Sequence, residues 1–433
     1  MQSFRLFNLG LNQKHFGGNH KIANVSINLG CTKGRGSSTR MFNYCKERSA
    51  NPSECINQFI SIAPTIAPIP PPPVNYYWSA LGSGITGEIS SIAIDSLNNV
   101  YAVGQFTSAG GVPANNIAKW NPNTSTWSAL TSGLNDYVES IAIDSLNNVY
   151  VGGYFTSAGG VPVNYIAKWN PNTSTWSALG SGLGPSGIDI YSIAIDSLNN
   201  VYVGGYFTNA GGVSVNNIAK WNPNTSTWSA LTSGINYFII SIAIDSADNV
   251  YVGGQFTSAG GVSAKNIAKW NPNTSTWSAL GTGTNTGGNI NVKSVAIDSA
   301  NNVYIGGSFT TAGGVPVNYI AKWNSNTSTW SALGNGLIGT DVFFGARSIA
   351  IDSLNNVYAG GYFTTAGDVS ANYIAKWNPN TSIWSALDNG LTGGGTYNSA
   401  ASIGIDSANN LYVAGIFTTA GTVPANNIAK WGV

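Results

Sequence analysis

SIAIDSLNNVYVGGYFTSAGGVPVNYIAKWNPNTSTWSAL, residues 140–179, recurs with small changes down the 433-residue chain, and its reading decides the fold. The tryptophan of WSAL falls at Trp78, Trp127, Trp176, Trp228, Trp277, Trp330 and Trp384, in steps of 49 to 54 residues. A second tryptophan closes AKW at Trp120, Trp169, Trp221, Trp270, Trp323, Trp377 and Trp431, and the two sets use all 14 tryptophans. A period of this length with several strand-like runs per copy indicates propeller blades and not a helical solenoid.

Alternation and β-branched or aromatic content divide one copy into four strands, SIAID, VYVGGYF, the IAKW run and TWSAL. SLNN and NPNTST, rich in turn formers, join the first strand to the second and the third to the fourth. The spacing of 7 between the AKW and WSAL tryptophans sets a register in which Trp120 opposes Trp127, Ala118 opposes Ala129 and Lys119 opposes Ser128. Gly-Gly and Asn-Pro interrupt every stretch and leave no room for helices.

The order of the pieces is unusual. The first repeat fragment is an isolated fourth strand, Trp78–Leu81, and the last is a third strand ending at Trp431. Pairing the two would remove an unpaired edge. The expectation is an all-β, seven-bladed β-propeller of four-stranded antiparallel blades, its ring closed by the N-terminal strand and preceded by an irregular N-terminal arm. The domains are then an arm at 1–61, a proline-rich linker at 62–75 and the propeller at 76–433.

The run NNVYVGGYFTSAGGVPVNYIAKWN…WSALGSG resembles the repeats of kelch-like and related propellers and of fungal cell-surface polarity-marker proteins. Similar Asn-rich copies occur in bacterial and large-DNA-virus proteins. The resemblance covers residues 76–433 and implies a fold; such propellers serve unrelated roles, so it transfers no catalytic residue. The Trp-Asp dipeptide of WD repeats and the paired-Gly-plus-Tyr signature of kelch repeats are not cleanly present.

Comparison among the copies separates fixed from free positions. From Asp95 to Lys119, and between the equivalent pair in every copy, the spacing is 24. A residue repeated in every copy is structural, and Asp95 and its equivalents are expected to accept backbone N–H bonds in an Asx-type turn. Calcium wants about six to eight oxygens, and one Asp per blade supplies too few. The AKW lysine is expected as a rim cation with a buried stem. The paired glycines are followed by no Gly-Lys-Ser/Thr, so they are expected to allow close backbone approach rather than to hold phosphate. Asn-Thr-Ser at Asn123, Asn172, Asn224, Asn273, Asn326 and Asn380 is good turn chemistry, and a glycosylation acceptor only in a secreted protein.

All length variation falls between WSAL and the next SIAID, where the span to the first apolar residue runs 11, 11, 14, 11, 15, 16 and 16. These connections are expected to line one face and to form the candidate interaction face with Tyr137, Tyr191, Tyr237, Phe238, Phe343, Phe344 and Tyr397. Charges accompany them at Glu88, Asp136, Glu139, Asp189, Lys293, Asp341 and Arg347. A carbohydrate-active enzyme would need a carboxylate pair at a set separation, which only Glu88, Glu139, Asp189 and Asp341 could supply.

Residues 1–75 carry eight Lys/Arg against Glu47 and Glu54, a net +6, whereas the rest of the chain carries −5. Such a basic arm suits an acidic docking partner. Val25, Ile27 and Leu29 alternate with Ser and Asn as a strand for backbone pairing, and Lys33, Arg35 and Arg40 would add salt-sensitive attraction. His15, His20, Cys31, Cys45 and Cys55 match no zinc spacing, and a Cys45–Cys55 disulfide stays open. No cofactor or metal is expected, nor nucleic acid on the propeller. No run approaches the length of a membrane span, and no secretory signal precedes the repeats. The expectation is a non-catalytic interaction or structural protein: an assembly component, as of a virus particle, anchored by its arm. The alternatives are a carbohydrate- or protein-binding adhesin-like module and a carbohydrate-active enzyme.

Overall fold

A computed structural model describes residues 75–184, 188–285, 291–339, 345–394 and 399–433. The arm with Val25, Ile27, Leu29, Lys33, Arg35 and Arg40 lies outside these residues, as do Phe343, Phe344, Asp341 and Tyr397. Among the described residues seven sheets share an antiparallel path of four strands, drawn from one repeat in six of them and completed by Tyr77–Ala80 in the last. In the second sheet these are Val138–Ile143, Val149–Gly153, Ile166–Asn170 and Thr175–Ala178. The expected register holds, with Trp120 opposite Trp127, Ala118 opposite Ala129 and Lys119 opposite Ser128.

The turn between first and second strands explains the repeated Asp. Asp95 Oδ1 accepts the N–H groups of Leu97 and Asn99 at 3.0 and 2.8 Å, and Oδ2 accepts the Asn99 amide at 2.7 Å. The Tyr101 hydroxyl closes on the same oxygen at 3.5 Å, so one buried carboxylate ties together the turn and the strand beyond it. The same set recurs at Asp144, with Leu146, Asn148 and Tyr150. Above the Tyr101 ring lies the Lys119 ammonium, 5.4 Å from its centroid, an arrangement repeated at Lys168, Lys220, Lys269, Lys322 and Lys376. The AKW lysine is therefore a cation over an aromatic face rather than a free rim charge.

The expectation of a closed ring is corrected: among the described residues no sheet closes into a ring. Main-chain ladders stay within each sheet, and Tyr77–Ala80 completes the last of them, with Trp78 opposite Trp431 and order Tyr77–Ala80, Ile428–Gly432, Leu411–Ile416, Ser399–Ile405. The physical reason lies at both edges. The fourth strand is only four residues long, and the first is broken by a bulge, two features that prevent ladders from continuing into a neighbour.

Side chains and single main-chain bonds join sheet to sheet instead, as where the Ile85 N–H donates to the Asn426 carbonyl at 3.1 Å. The Trp127 indole donates to the Leu81 carbonyl at 2.8 Å, and Trp228 donates to Leu179 at 2.9 Å, each reaching the end of the preceding fourth strand. Trp78 reaches Leu387 in the same way at 3.0 Å. At the opposite end Asn147 Oδ1 accepts the Ser96 N–H, and Asn98 Oδ1 accepts the Ser407 N–H, coupling the last repeat to the first. Gly152 admits the neighbouring sheet: a Cβ there would lie 2.6 Å from Ile190 Cγ2. This is the close approach expected of the paired glycines.

Trp78→Ala removes a buried indole that packs 5.2 Å from the Trp431 ring and its bond to Leu387. The expected loss is about 3–5 kcal/mol of unfolding free energy, measured by denaturant titration of the full chain. A loss below about 1 kcal/mol, the scale of one ordinary hydrogen bond, would contradict the role given to this strand.

Candidate functional site

The first strands start earlier than the SIAID pattern indicates, and this relocates the candidate residues. Glu88 lies within Ile85–Ile94, Glu139 within Val138–Ile143 and Asp189 and Tyr191 within Asp189–Ile195. Lys293 and Arg347 lie within Val292–Ile297 and Gly345–Ile351. These are strand residues, not loop residues as the sequence pattern suggested. The signal that hid them is a β-bulge, which interrupts the period of two on which strand reading depends.

Every first strand carries that bulge at the same place. The ladder skips Ser90, Glu139, Tyr191, Ile240, Lys293, Arg347 and Ala401 in the seven sheets. The residue after each is serine, and Ser140, Ser192, Ser241, Ser294, Ser348 and Ser402 each accept a main-chain N–H from the next sheet at 2.9–3.1 Å. The residue before each is fully or almost fully buried, from Ile89 to Ala400. A constant frame thus holds one position at which no two sheets agree.

Around the bulges of the second to fourth sheets the aromatic side chains form a continuous arc. Tyr137 stacks on Tyr154 with centroids 6.1 Å apart and planes 17° apart. Tyr191 meets Phe238 at 6.3 Å, Phe238 meets Tyr206 at 4.7 Å, and Tyr237 lies 4.2 Å from Phe238. Asp189 fixes the middle of the arc: Oδ1 accepts the Tyr154 hydroxyl at 2.7 Å and Oδ2 accepts that of Tyr191 at 3.2 Å. Tyr154, Tyr206 and Tyr237 remain 36–44% exposed, so the arc is open to a ligand. The structure thus brings Tyr137, Tyr191, Tyr237 and Phe238 together and adds Tyr154 and Tyr206. The added pair sit at the ends of second strands, where sequence reading saw only repeat positions.

The charges on this face act on one another. Burial raises the Glu139 carboxyl from its usual 4.5 to about 7; Arg347 opposes that shift, while Glu88 and Asp189 add to it. Burial, and then the neighbouring Arg347, lowers the Lys293 ammonium to about 8. Burial, followed by the charges of Glu139 and Glu88, pushes the Tyr137 hydroxyl upward. Arg347 of the sixth sheet therefore lies within electrostatic reach of Glu139 in the second.

Other polar features are consumed by the scaffold. A groove of about 440 Å³ between the first and second sheets is lined by Asn115, Asn116, Ser132 and Asn135. Asn115 and Asn116 donate to the Ser132 and Leu134 carbonyls, and Asn135 accepts from Thr156 and Ser157. The seven repeat aspartates are spent on their turns, and Asp189 accepts one tyrosine hydroxyl on each oxygen. Among the described residues no three His, Cys, Asp or Glu side chains gather as a metal site would require, and no helix is long and apolar enough to cross a membrane.

Three family descriptions match parts of the chain: the Rax2 C-terminal beta propeller domain over residues 184–284, a beta-propeller repeat over 126–156, and a beta-propeller domain of unknown function over 147–174. Polarized growth protein rax2 of Schizosaccharomyces pombe is 28% identical over 99 residues, 21% of this chain and 9% of that protein. Polarized growth protein L1 of Phoma sp. is 27% identical over 130 residues, 30% of this chain and 9% of that protein. The chain thus matches about a tenth of the length of these curated relatives. Among solved structures, U3-55K superposes with a TM-score of 0.55 at 11% identity, covering 82% of this chain and 98% of the other. The extracellular domain of a putative one component system from B. thetaiotaomicron superposes at 0.53 with 13% identity, covering 82% of this chain and 39% of the other. At such identities the likeness reaches the fold alone, and that fold is an all-β repeat of the β-propeller kind.

The Glu139 shift has a consequence for stability. The folded protein holds this proton until about pH 7, whereas an unshifted carboxyl releases it near 4.5. The contribution is therefore complete below about pH 4.5 and is lost as the pH rises through 7. Glu139→Gln should raise the melting temperature over wild type at pH 8 and leave it close to wild type at pH 4.5, measured by thermal unfolding. An equal effect at both values would contradict the shift.

Proposed function

We propose that the repeat domain is a non-catalytic recognition module that takes a saccharide on the aromatic arc of its bulged face. The observation that carries this reading is the pairing of flat, part-exposed rings with carboxylates: Tyr137 on Tyr154, with Asp189 locking Tyr154 and Tyr191. Rings held in place offer apolar area at little entropic cost, and the flanking oxygens orient a ligand rich in hydroxyl donors. The adhesin-like alternative thus takes precedence over an assembly role. That role rested on the N-terminal arm, residues 1–61, which lies outside the described residues. The partial similarity to two polarized growth proteins supports a recognition role, and reaches no ligand.

The test is a saccharide array probed with the full chain, followed by titration of the best ligand against Tyr154→Ala and Tyr237→Ala. Both side chains are more than a third exposed, so the variants should melt close to wild type while affinity falls by tenfold or more, about the 1.4 kcal/mol expected of an interface aromatic. Binding unchanged in both variants would exclude the arc. Capture of a protein ligand with no saccharide bound would favour the protein-binding form of the module.

A further inference from the structure

Lys293 and Arg347 occupy the bulge positions of two consecutive sheets, the fifth and the sixth. Both are half-buried, and the Arg347 charge reaches Lys293 in the neighbouring sheet. Among the described residues the ion pairs are Lys220–Asp196 and Lys322–Asp298, so no described carboxylate lies within 4.0 Å of either cation. Two neighbouring cations withdrawn from water without an acid between them are costly, and an anion placed there relieves both desolvation and mutual repulsion. A bulge is a known device for re-aiming one side chain out of a regular ladder. Here it aims the most divergent residue of each sheet while its flanking serine and apolar neighbour stay fixed.

The opposite side of the face has the reverse character. Glu88, Glu139 and Asp189, from the first three sheets, accompany the Tyr137, Tyr154 and Tyr191 rings. These carboxylates would repel a ligand with many acidic groups, such as an acidic peptide, and they accept hydrogen bonds from hydroxyls. The complement of such a divided face has one carboxylate at one end and hydroxyl donors around a ring at the other.

We infer that Lys293 and Arg347 form an anion-binding pole and that the ligand is an acidic saccharide, its uronate carboxylate seated at these two residues and its ring on the tyrosine side. This rests on the saccharide reading above and adds the charge of the ligand and the residues that select it. Arg347 offers a planar fork for the two carboxylate oxygens and Lys293 a point charge beside it.

The experiment is calorimetric titration of the full chain with a trigalactoside that carries a single galacturonate, at one end, and with the neutral trigalactoside of the same linkage, which differ only in that one carboxylate. The monouronate should bind at least about tenfold more tightly, the scale of one charge-assisted hydrogen bond. R347Q and K293Q should each remove about that factor for the acid and leave the neutral sugar unchanged. R347K and K293R keep the charge and should retain most of the preference, which separates charge from damage to the fold. Added salt should weaken the acid more than the neutral sugar. Equal affinity for the two sugars, unaltered in R347Q, would overturn the anion-binding pole and leave the saccharide module standing. Failure of both sugars with binding of an acidic peptide would overturn both.

Discussion

The carboxylate of Asp95 and its six equivalents is the constraint on which the rest depends. Buried in the turn, it satisfies two backbone N–H groups, an asparagine amide and a tyrosine hydroxyl at once. A charge that deep is tolerable because it is fully hydrogen-bonded, and in two sheets the third-strand lysine also comes close, Lys220 at 3.7 Å from Asp196 and Lys322 at 3.8 Å from Asp298. That lysine in turn rests over the same tyrosine, so turn, second strand and third strand are fixed by one cluster. The spacing of 24 residues from Asp to Lys cannot change without breaking it.

With each sheet fixed internally, association between sheets passes to side chains. Indoles reach back to leucine carbonyls, serines accept amides from the next first strand, and glycines leave space for the neighbour's isoleucine. The contacts shared by the sheets do not use the bulge residue, although the Ser90 hydroxyl of the first sheet donates to the Val138 carbonyl of the second, and the connection leading to it varies in length. Sequence change at that position therefore leaves the shared contacts in place. The chemistry of the face accordingly runs from aromatic and acidic to apolar and then basic without disturbing the sheets.

The four-strand repeat, the tryptophan register and the Asx role of the aspartate were legible because each recurs with a fixed spacing that has one physical explanation. The lysine over tyrosine was not, because residues 18 apart such as Tyr101 and Lys119 meet only through the ladder between second and third strands. A ring of seven blades closed by the N-terminal strand was read from the split fourth strand; that strand does pair with Ile428–Gly432, but it completes a single sheet, and among the described residues no sheet closes into a ring. Edge pairing and ring closure look identical in a sequence. The bulge was the largest loss. Glu139, Tyr191, Lys293 and Arg347 were assigned to connections because one extra residue breaks alternation, and alternation was the only signal available for that strand.

The most direct measurement of the central claim is residue-resolved amide hydrogen exchange of the full chain. The amide of Asn99, and those of Asn148, Asn200, Asn249, Asn302, Asn356 and Asn410, each donate to the turn carboxylate at 2.8–2.9 Å. The account predicts that all of them exchange only as fast as the domain unfolds globally, despite their place in turns. Exchange at the rate of open loops would show that the carboxylate does not hold the turn, and would contradict the account at its base.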